Sequence, residues 1–331
     1  MRARVESIAA GGLGLVRSAT GEISFVGGVI DGELVSLRAP IGKRALLDRV
    51  VEPSEKRVAP ACRFAQACGG CDFMHIEAEH QQALHREIVR ALVSHACGGC
   101  PEIVTHGPTP PLRYRSRARF SLESERDKLR LGYRAHASRA VVAIDDCLVL
   151  HEELMSAAKE TAAALRGTRG EGEISVAFGM REGTRRPVLD ISLSADPQPA
   201  FLGWLSSACE SGGPFAGARV TLDNREGSRG GRKVGRAERP LKPLVFGDPR
   251  AVQPGSDGLP IVIRAGGFAQ ASDEGAALLA ERTRALARPD GAAVFELFAG
   301  SGTLSVELAR GARAFVSVEA DAEAVTCARE N

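Results

Sequence analysis

Apolar side chains recur at three- and four-residue steps between Ile76 and Val93, at Ala83, Leu84, Ile88, Ala91 and Leu92, which predicts a helix there. Upstream, residues 1 to about 58 carry short runs of alternating character, such as Ile23 and Phe25 against Glu22 and Ser24. Gly27-Gly28 and Asp31-Gly32 supply the turns between them. A small five-stranded β-barrel of the OB type fits this pattern. Barrels of that kind often hold single-stranded nucleic acid, although a barrel without a ligand fits the pattern as well.

Residues 110 to about 245 read as mostly strand, with one helix near His151–Leu165. The segment "RGGRKVGRAERP" (229–240) is too rich in Gly and Arg for a core and reads as a loop. From Ala251 the texture changes. A helix over Asp273–Leu286 precedes a strand in "AAVFELF", a glycine turn, a helix in "TLSVELARG", a strand in "RAFVSVEA" and the start of a helix in "DAEAVTCAREN". Strands alternating with helices point to a parallel α/β sheet. The expected fold class is therefore multidomain α+β and α/β. It comprises an OB-like barrel over 1–58, a mostly β central domain over 59–250, and a Rossmann-like domain over 251–331.

The length of 331 residues suffices for two or three such domains, and a net charge of +2 does not by itself call for a polyanionic partner. The N-terminus lacks an apolar signal core and no run approaches the length of a membrane span. A cytoplasmic, monomeric protein without a membrane partner is expected, and disulfides are not expected to persist there.

Cys62, Cys68 and Cys71 fall within ten positions, with Gly69-Gly70 letting the backbone wrap tightly between the last two. Three thiolates on one loop suit a soft metal site that needs a fourth ligand. Cys97 and Cys100 form a second C-G-G-C but close a helix, where the glycines read as its stop. Cys147 follows "VVAIDD" at the close of a strand, so it is the favoured fourth ligand. Spacing alone leaves an iron–sulfur cluster, zinc and no metal all open.

"VFELFAGSGTLSVELA" (294–309) is a strand, a glycine turn and a helix, the ligand-binding corner of a doubly wound sheet. Ser305 stands where a dinucleotide fingerprint wants a third glycine, and Glu296 and Glu319 flank the turn. Carboxylates repel a pyrophosphate but accept hydrogen bonds from ribose hydroxyls and pair with a cation, and S-adenosylmethionine offers both. A tight turn with no ligand is the alternative. In "RYRSRARF" (113–120), strict alternation as a strand places Arg113, Arg115, Arg117 and Arg119 on one face. Such a row suits a phosphate backbone, or else a solvated face.

Together these features resemble the RNA uracil-C5 methyltransferase family, in the branch with an N-terminal TRAM domain and an iron–sulfur cluster. The TRAM-like stretch is "IAAGGLGLVRSATGEISFVGGVIDGELV", and Cys62, Cys68, Cys71 and Cys147 match the cluster signature. "GGFAQAS" (266–272) is similar to the family's G-x-F-x-Q-x-N segment, with Ser272 in place of Asn. The resemblance implies a class I methyltransferase domain and a 4Fe–4S cluster. It also implies S-adenosylmethionine bound by Gln270 at the methionyl end, by Phe298 and Thr303 at the turn, and by Glu319 at the ribose. It implies methylation of a uridine in RNA through a Cys–C6 adduct, with ribosomal RNA favoured over transfer RNA.

The family's nucleophilic Cys, Asp-Pro-Pro motif and base Glu match nothing up to Asn331. The expectation is a C-terminally truncated chain, inactive alone. The alternatives are a catalytically inert RNA-binding protein that keeps the barrel and metal site, or a transfer RNA methyltransferase.

Overall fold

The computed structural model describes residues 1–38, 43–106, 112–125, 128–136, 138–222 and 242–331. The Gly- and Arg-rich stretch 229–240 lies outside them. The chain groups into two compact units, Met1–Pro108 with Arg134–Ala140, and Thr109–Tyr133 with Val141–Asn331.

In the first unit, strands β1 (Arg2–Ala9), β2 (Leu13–Arg17), β3 (Ile23–Gly27), β4 (Leu34–Leu37) and β5 (Leu47–Glu52) form one antiparallel sheet in the order β3-β2-β1-β4-β5. The outer strand β3 is drawn back to the chain just before β5. The Phe25 N–H donates to the Lys43 carbonyl and the Ala45 N–H to the Phe25 carbonyl, both at 2.9 Å, so the sheet curls toward closure. Every second side chain points inward, and Val5, Val16, Val26, Val29, Ile30 and Val35 make the core. Glu33 is only 1% exposed within it. Its carboxylate accepts Arg57 Nε at 2.6 Å and Nη2 at 2.7 Å, the Ile30 N–H at 2.9 Å and the Ser54 N–H at 3.1 Å. The charge is thus fully satisfied, and the chain leaving β5 is fastened to the turn before β4. Helix α1 (Ala78–Cys97) sets Leu84 and Ile88 against this core and ends on Gly98 in the left-handed conformation, φ 71°. It runs one turn beyond the expected Val93, because nothing before the glycine pair breaks it.

The second unit is built on a seven-stranded mixed sheet of β6 (Arg117–Glu125), β7 (Lys128–Arg134), β8 (Val141–Ala143), β9 (Gly170–Arg181), β10 (Thr184–Leu193), β11 (Gly217–Leu222) and β12 (Leu244–Gly247), in the order β12-β11-β10-β9-β6-β7-β8. β10 and β11 pair in parallel, whereas β6–β7, β6–β9, β9–β10 and β11–β12 run antiparallel. Helix α2 (Glu152–Ala164) packs on β6, β9 and β10 and against α3 (Pro199–Ala208). Phe120, Leu154, Ile174, Leu189, Ile191 and Phe201 are fully buried among them.

A hairpin of β13 (Ala251–Pro254) and β14 (Pro260–Ile263) follows, where the sequence pattern already suggested α/β texture. Then come α4 (Asp273–Ala287), β15 (Ala293–Leu297), α5 (Ser305–Ala309), β16 (Ala314–Val318) and α6 (Ala322–Glu330). β15 and β16 pair in parallel, as the alternating pattern requires. Helix α4 is capped by the Ser272 hydroxyl, which accepts the Gly275 N–H at 3.0 Å. Among the described residues, no helix is long and apolar enough to cross a membrane.

Candidate functional site

The glycine turn after β15 is held from three directions. Glu319, at the end of β16, accepts the Gly300 N–H at 2.8 Å, the Ala320 N–H at 2.8 Å and the Asp321 N–H at 2.9 Å. These donors, Asp321 and Gly300 first, hold the Glu319 carboxyl below its ordinary range. Ser301 Oγ accepts the Arg264 N–H at 3.3 Å, and Asn331 Nδ2 donates to the Ser301 carbonyl at 2.7 Å and the Val262 carbonyl at 2.8 Å. Gly302 has φ 85°, and a Cβ there would stand 3.2 Å from the Ala328 Cβ, so close approach to α6 requires glycine. Glu296 on β15 is the opposite of Glu319. Burial pushes its carboxyl above the usual range, partly offset by the Ser305 hydroxyl at 2.5 Å. Phe298 is 92% exposed with φ 60°, a left-handed conformation that is uncommon outside glycine. Thr303 is half-buried at the entry to α5, which is shorter than expected because Thr303 and Leu304 are still in turns.

The segment Gly266–Ser272 carries the half-buried Gln270. The Ser116 N–H donates to the Ala271 carbonyl at 2.9 Å, Arg117 Nη1 donates to the Gly267 carbonyl at 3.1 Å, and Arg115 bridges to Ser272. The arginine segment and the Gln270 segment are therefore laced together by backbone and by the Arg117 side chain. A cavity of about 460 Å³ opens beside them, lined in part by Arg115, Arg117, Arg119, Arg264, Asp190 and the largely exposed Phe268. Gly266 must lack a side chain, since a Cβ would lie 2.1 Å from Asp190 Oδ2.

The four arginines do not form the single row expected. β6 begins at Arg117, and the chain from Arg113 to Arg115 runs instead beside Leu148–Leu150. Arg113 has φ 55° and grips Asp146 with two nitrogens at 3.0 and 2.9 Å, while also donating to the Cys147 and Leu150 carbonyls. Arg117 is largely desolvated, which pulls its guanidinium down to about 10. Arg119 keeps 63% of its side chain exposed, with Glu173 3.8 Å away. The misreading came from the perfect sequence alternation, which does not register that Asp146 captures Arg113 thirty-three residues away.

Cys62, Cys68 and Cys71 lie in the first unit and Cys147 in the second. Gly69 is required where it stands, since a Cβ would lie 2.8 Å from the Arg134 carbonyl oxygen. Cys147 is buried, with Tyr133 Oη 3.9 Å from its sulfur. Among the described residues no group of three or more His, Cys, Asp or Glu side chains is arranged to hold a metal. No disulfide joins any of the eight cysteines. Cys209 and Cys327 are buried, and burial pushes both thiols up, that of Cys209 to about 11.

This combination of sheets and glycine turn defines a class, the S-adenosylmethionine-dependent RNA uracil-C5 methyltransferases, and the chain belongs to that family. It is 30% identical over 332 residues to 23S rRNA (uracil(1939)-C(5))-methyltransferase RlmD of Pseudomonas entomophila, spanning 96% of this chain and 68% of that protein. The protein of the same name from Pseudomonas putida is 28% identical over 338 residues, again 96% of this chain and 68% of the relative. The crystal structure of Pyrococcus abyssi tRNA (uracil-54, C5)-methyltransferase in complex with S-adenosyl-L-homocysteine shares the fold, with a TM-score of 0.66 at 18% identity over 99% of this chain and 75% of that one. No family model matches the chain.

Proposed function

We propose that the protein takes part in S-adenosylmethionine-dependent C5-methylation of a uridine in 23S ribosomal RNA. The observation that carries this reading is the Glu319–Gly300 clamp on a glycine turn in a chain related over nearly its whole length to 23S ribosomal RNA methyltransferases. Glu319 takes the ribose hydroxyls, Phe298 and Thr303 flank the donor at the turn, and Gln270 faces its methionyl end. The domain from Ala251 is read as the first part of a class I methyltransferase domain, and the curled five-stranded sheet as a TRAM-like barrel. Arg115, Arg117 and Arg119 around the cavity provide the RNA contact, with Arg113 holding the segment in place.

Addition of a thiolate to uracil C6 makes C5 nucleophilic, and a base then removes the C5 proton. The raised, buried thiols of Cys209 and Cys327 are unsuited to the first step. We therefore assign the nucleophile to neither of these thiols. A 4Fe–4S cluster on Cys62, Cys68, Cys71 and Cys147 rests on their spacing and the family resemblance. Its role would be structural, and no step passes through it. Anaerobic purification with a visible spectrum tests it; a colourless protein would remove it.

Disruption of the gene, followed by mapping of 5-methyluridine in 23S ribosomal RNA, tests the function. Loss of one such nucleotide is expected. Unchanged ribosomal RNA would refute the reading, and loss in transfer RNA instead would move the substrate there. The unsuited thiols favour one other reading, an inert RNA-binding protein. That reading predicts no change in either RNA.

A further inference from the structure

Gln253 on β13 is 1% exposed, and its amide nitrogen faces three oxygens. The Gln270 carbonyl lies at 3.2 Å, the Ser272 carbonyl at 3.5 Å and Asp273 Oδ1 at 3.5 Å. Three acceptors around one atom admit only a donor, so chemistry fixes the orientation of this amide. The other Asp273 oxygen accepts Arg185 Nη2 at 2.8 Å, which fixes the far end of the same arrangement. Gln253 Oε1 is buried without a hydrogen-bond partner among the described residues. A buried unpartnered carbonyl is unfavourable, and an apolar side chain of similar shape would avoid the cost. The glutamine is therefore kept for its amide nitrogen, which holds the Gln270–Ser272 backbone at the cost of an unpartnered oxygen.

The residues to either side of Gln270 are anchored elsewhere, Gly267 by Arg117 and Ala271 by the Ser116 N–H. The Gln270 carbonyl is taken by Gln253. We infer that Gln253 is a positioning residue for the methyl-donor site: it sets the backbone at Gln270 so that the Gln270 side chain is aimed at the methionyl end of the donor. This rests on the donor role proposed for Gln270.

The test is a titration of S-adenosyl-L-homocysteine into the 331-residue chain and its variants, with thermal melting run in parallel. Gln253→Met removes both the donor and the unpartnered oxygen. It is expected to weaken binding roughly tenfold, the order of one displaced hydrogen bond, and to lower the melting temperature modestly, because the Gln270 and Ser272 carbonyls lose their donor. In a Gln270→Ala background the same change should cost no further affinity. Gln253→Asn keeps the amide but draws it back by one methylene. It serves as the second variant should Gln253→Met not fold, and its loss should likewise vanish in the Gln270→Ala background. Wild-type affinity in either Gln253 variant, or an undiminished loss in the double variant, would overturn the inference. If Gln270→Ala alone binds as well as wild type, the donor role of Gln270 fails first, and the two failures are distinguishable.

Discussion

The Glu319 carboxylate accepts the Gly300 backbone N–H at 2.8 Å. The residue proposed for the donor's ribose therefore also fixes the turn proposed to receive the donor. One carboxylate at the end of β16 shapes the loop after β15, so donor binding needs little reorganisation there.

Glu319→Gln leaves a single acceptor among three backbone donors. Affinity for S-adenosyl-L-homocysteine should fall by about tenfold or more, the order of a lost charge-assisted hydrogen bond. The pH dependence has a definite sign. Because the carboxyl is held low in the folded protein, the clamp is complete above the ordinary glutamate pKa and is lost as pH falls through the lowered one. Calorimetric affinity should stay flat down to about pH 4.3 as far as this group is concerned, and drop only below it. A decline centred near pH 6 would assign the effect to another group.

Arg119 and Arg113 should separate cleanly. Arg119→Ala is expected to lower the salt dependence of RNA binding by about 0.7 in the log–log slope, one phosphate contact to a single strand. Arg113→Ala should leave that slope unchanged and lower the melting temperature, because Arg113 is engaged by Asp146, Cys147 and Leu150. Binding measured across a salt series decides between them.

Arg57→Met leaves Glu33 buried without its cation. A loss of about 3 kcal/mol is expected, the low end for breaking a buried pair, since Arg57 retains 23% exposure. Burial works to raise the Glu33 carboxyl, and its hydrogen bonds, Arg57 foremost, bring it below the ordinary value. The native pair thus stabilises above the unfolded pKa and loses its contribution as pH falls through the lowered one. In the variant burial dominates, and acid unfolding should begin at higher pH. Circular dichroism melts between neutral and acid pH would show this, and coincident curves would contradict it.

Thiol reactivity follows burial. Iodoacetamide at neutral pH should label the exposed Cys97 readily and leave Cys209 and Cys327 unmodified until the chain unfolds. Peptide mass spectrometry reads the outcome, and rapid native labelling of Cys209 would reopen its candidacy as a nucleophile.

What the sequence disclosed was local. Helices α1, α2 and α4 and the glycine turn were legible because each is written within about twenty consecutive residues. The relationships that shape the site and the first unit's core were not. Gln253 meets Gln270 seventeen positions on, Asn331 clamps Val262 sixty-nine positions back, and Glu33 finds Arg57 twenty-four positions away. No periodicity marks a side chain whose partner is set by tertiary packing. The arginine run shows the converse, a perfect local pattern overridden at Arg113 by a distant carboxylate.

We propose that the turn between β15 and α5 receives the methyl donor. The most direct measurement is calorimetric titration of S-adenosyl-L-homocysteine into the 331-residue chain, beside Glu319→Ala. One saturable site is expected in the native chain, and its loss in the variant. No binding to the native chain, or equal binding to both, would contradict it.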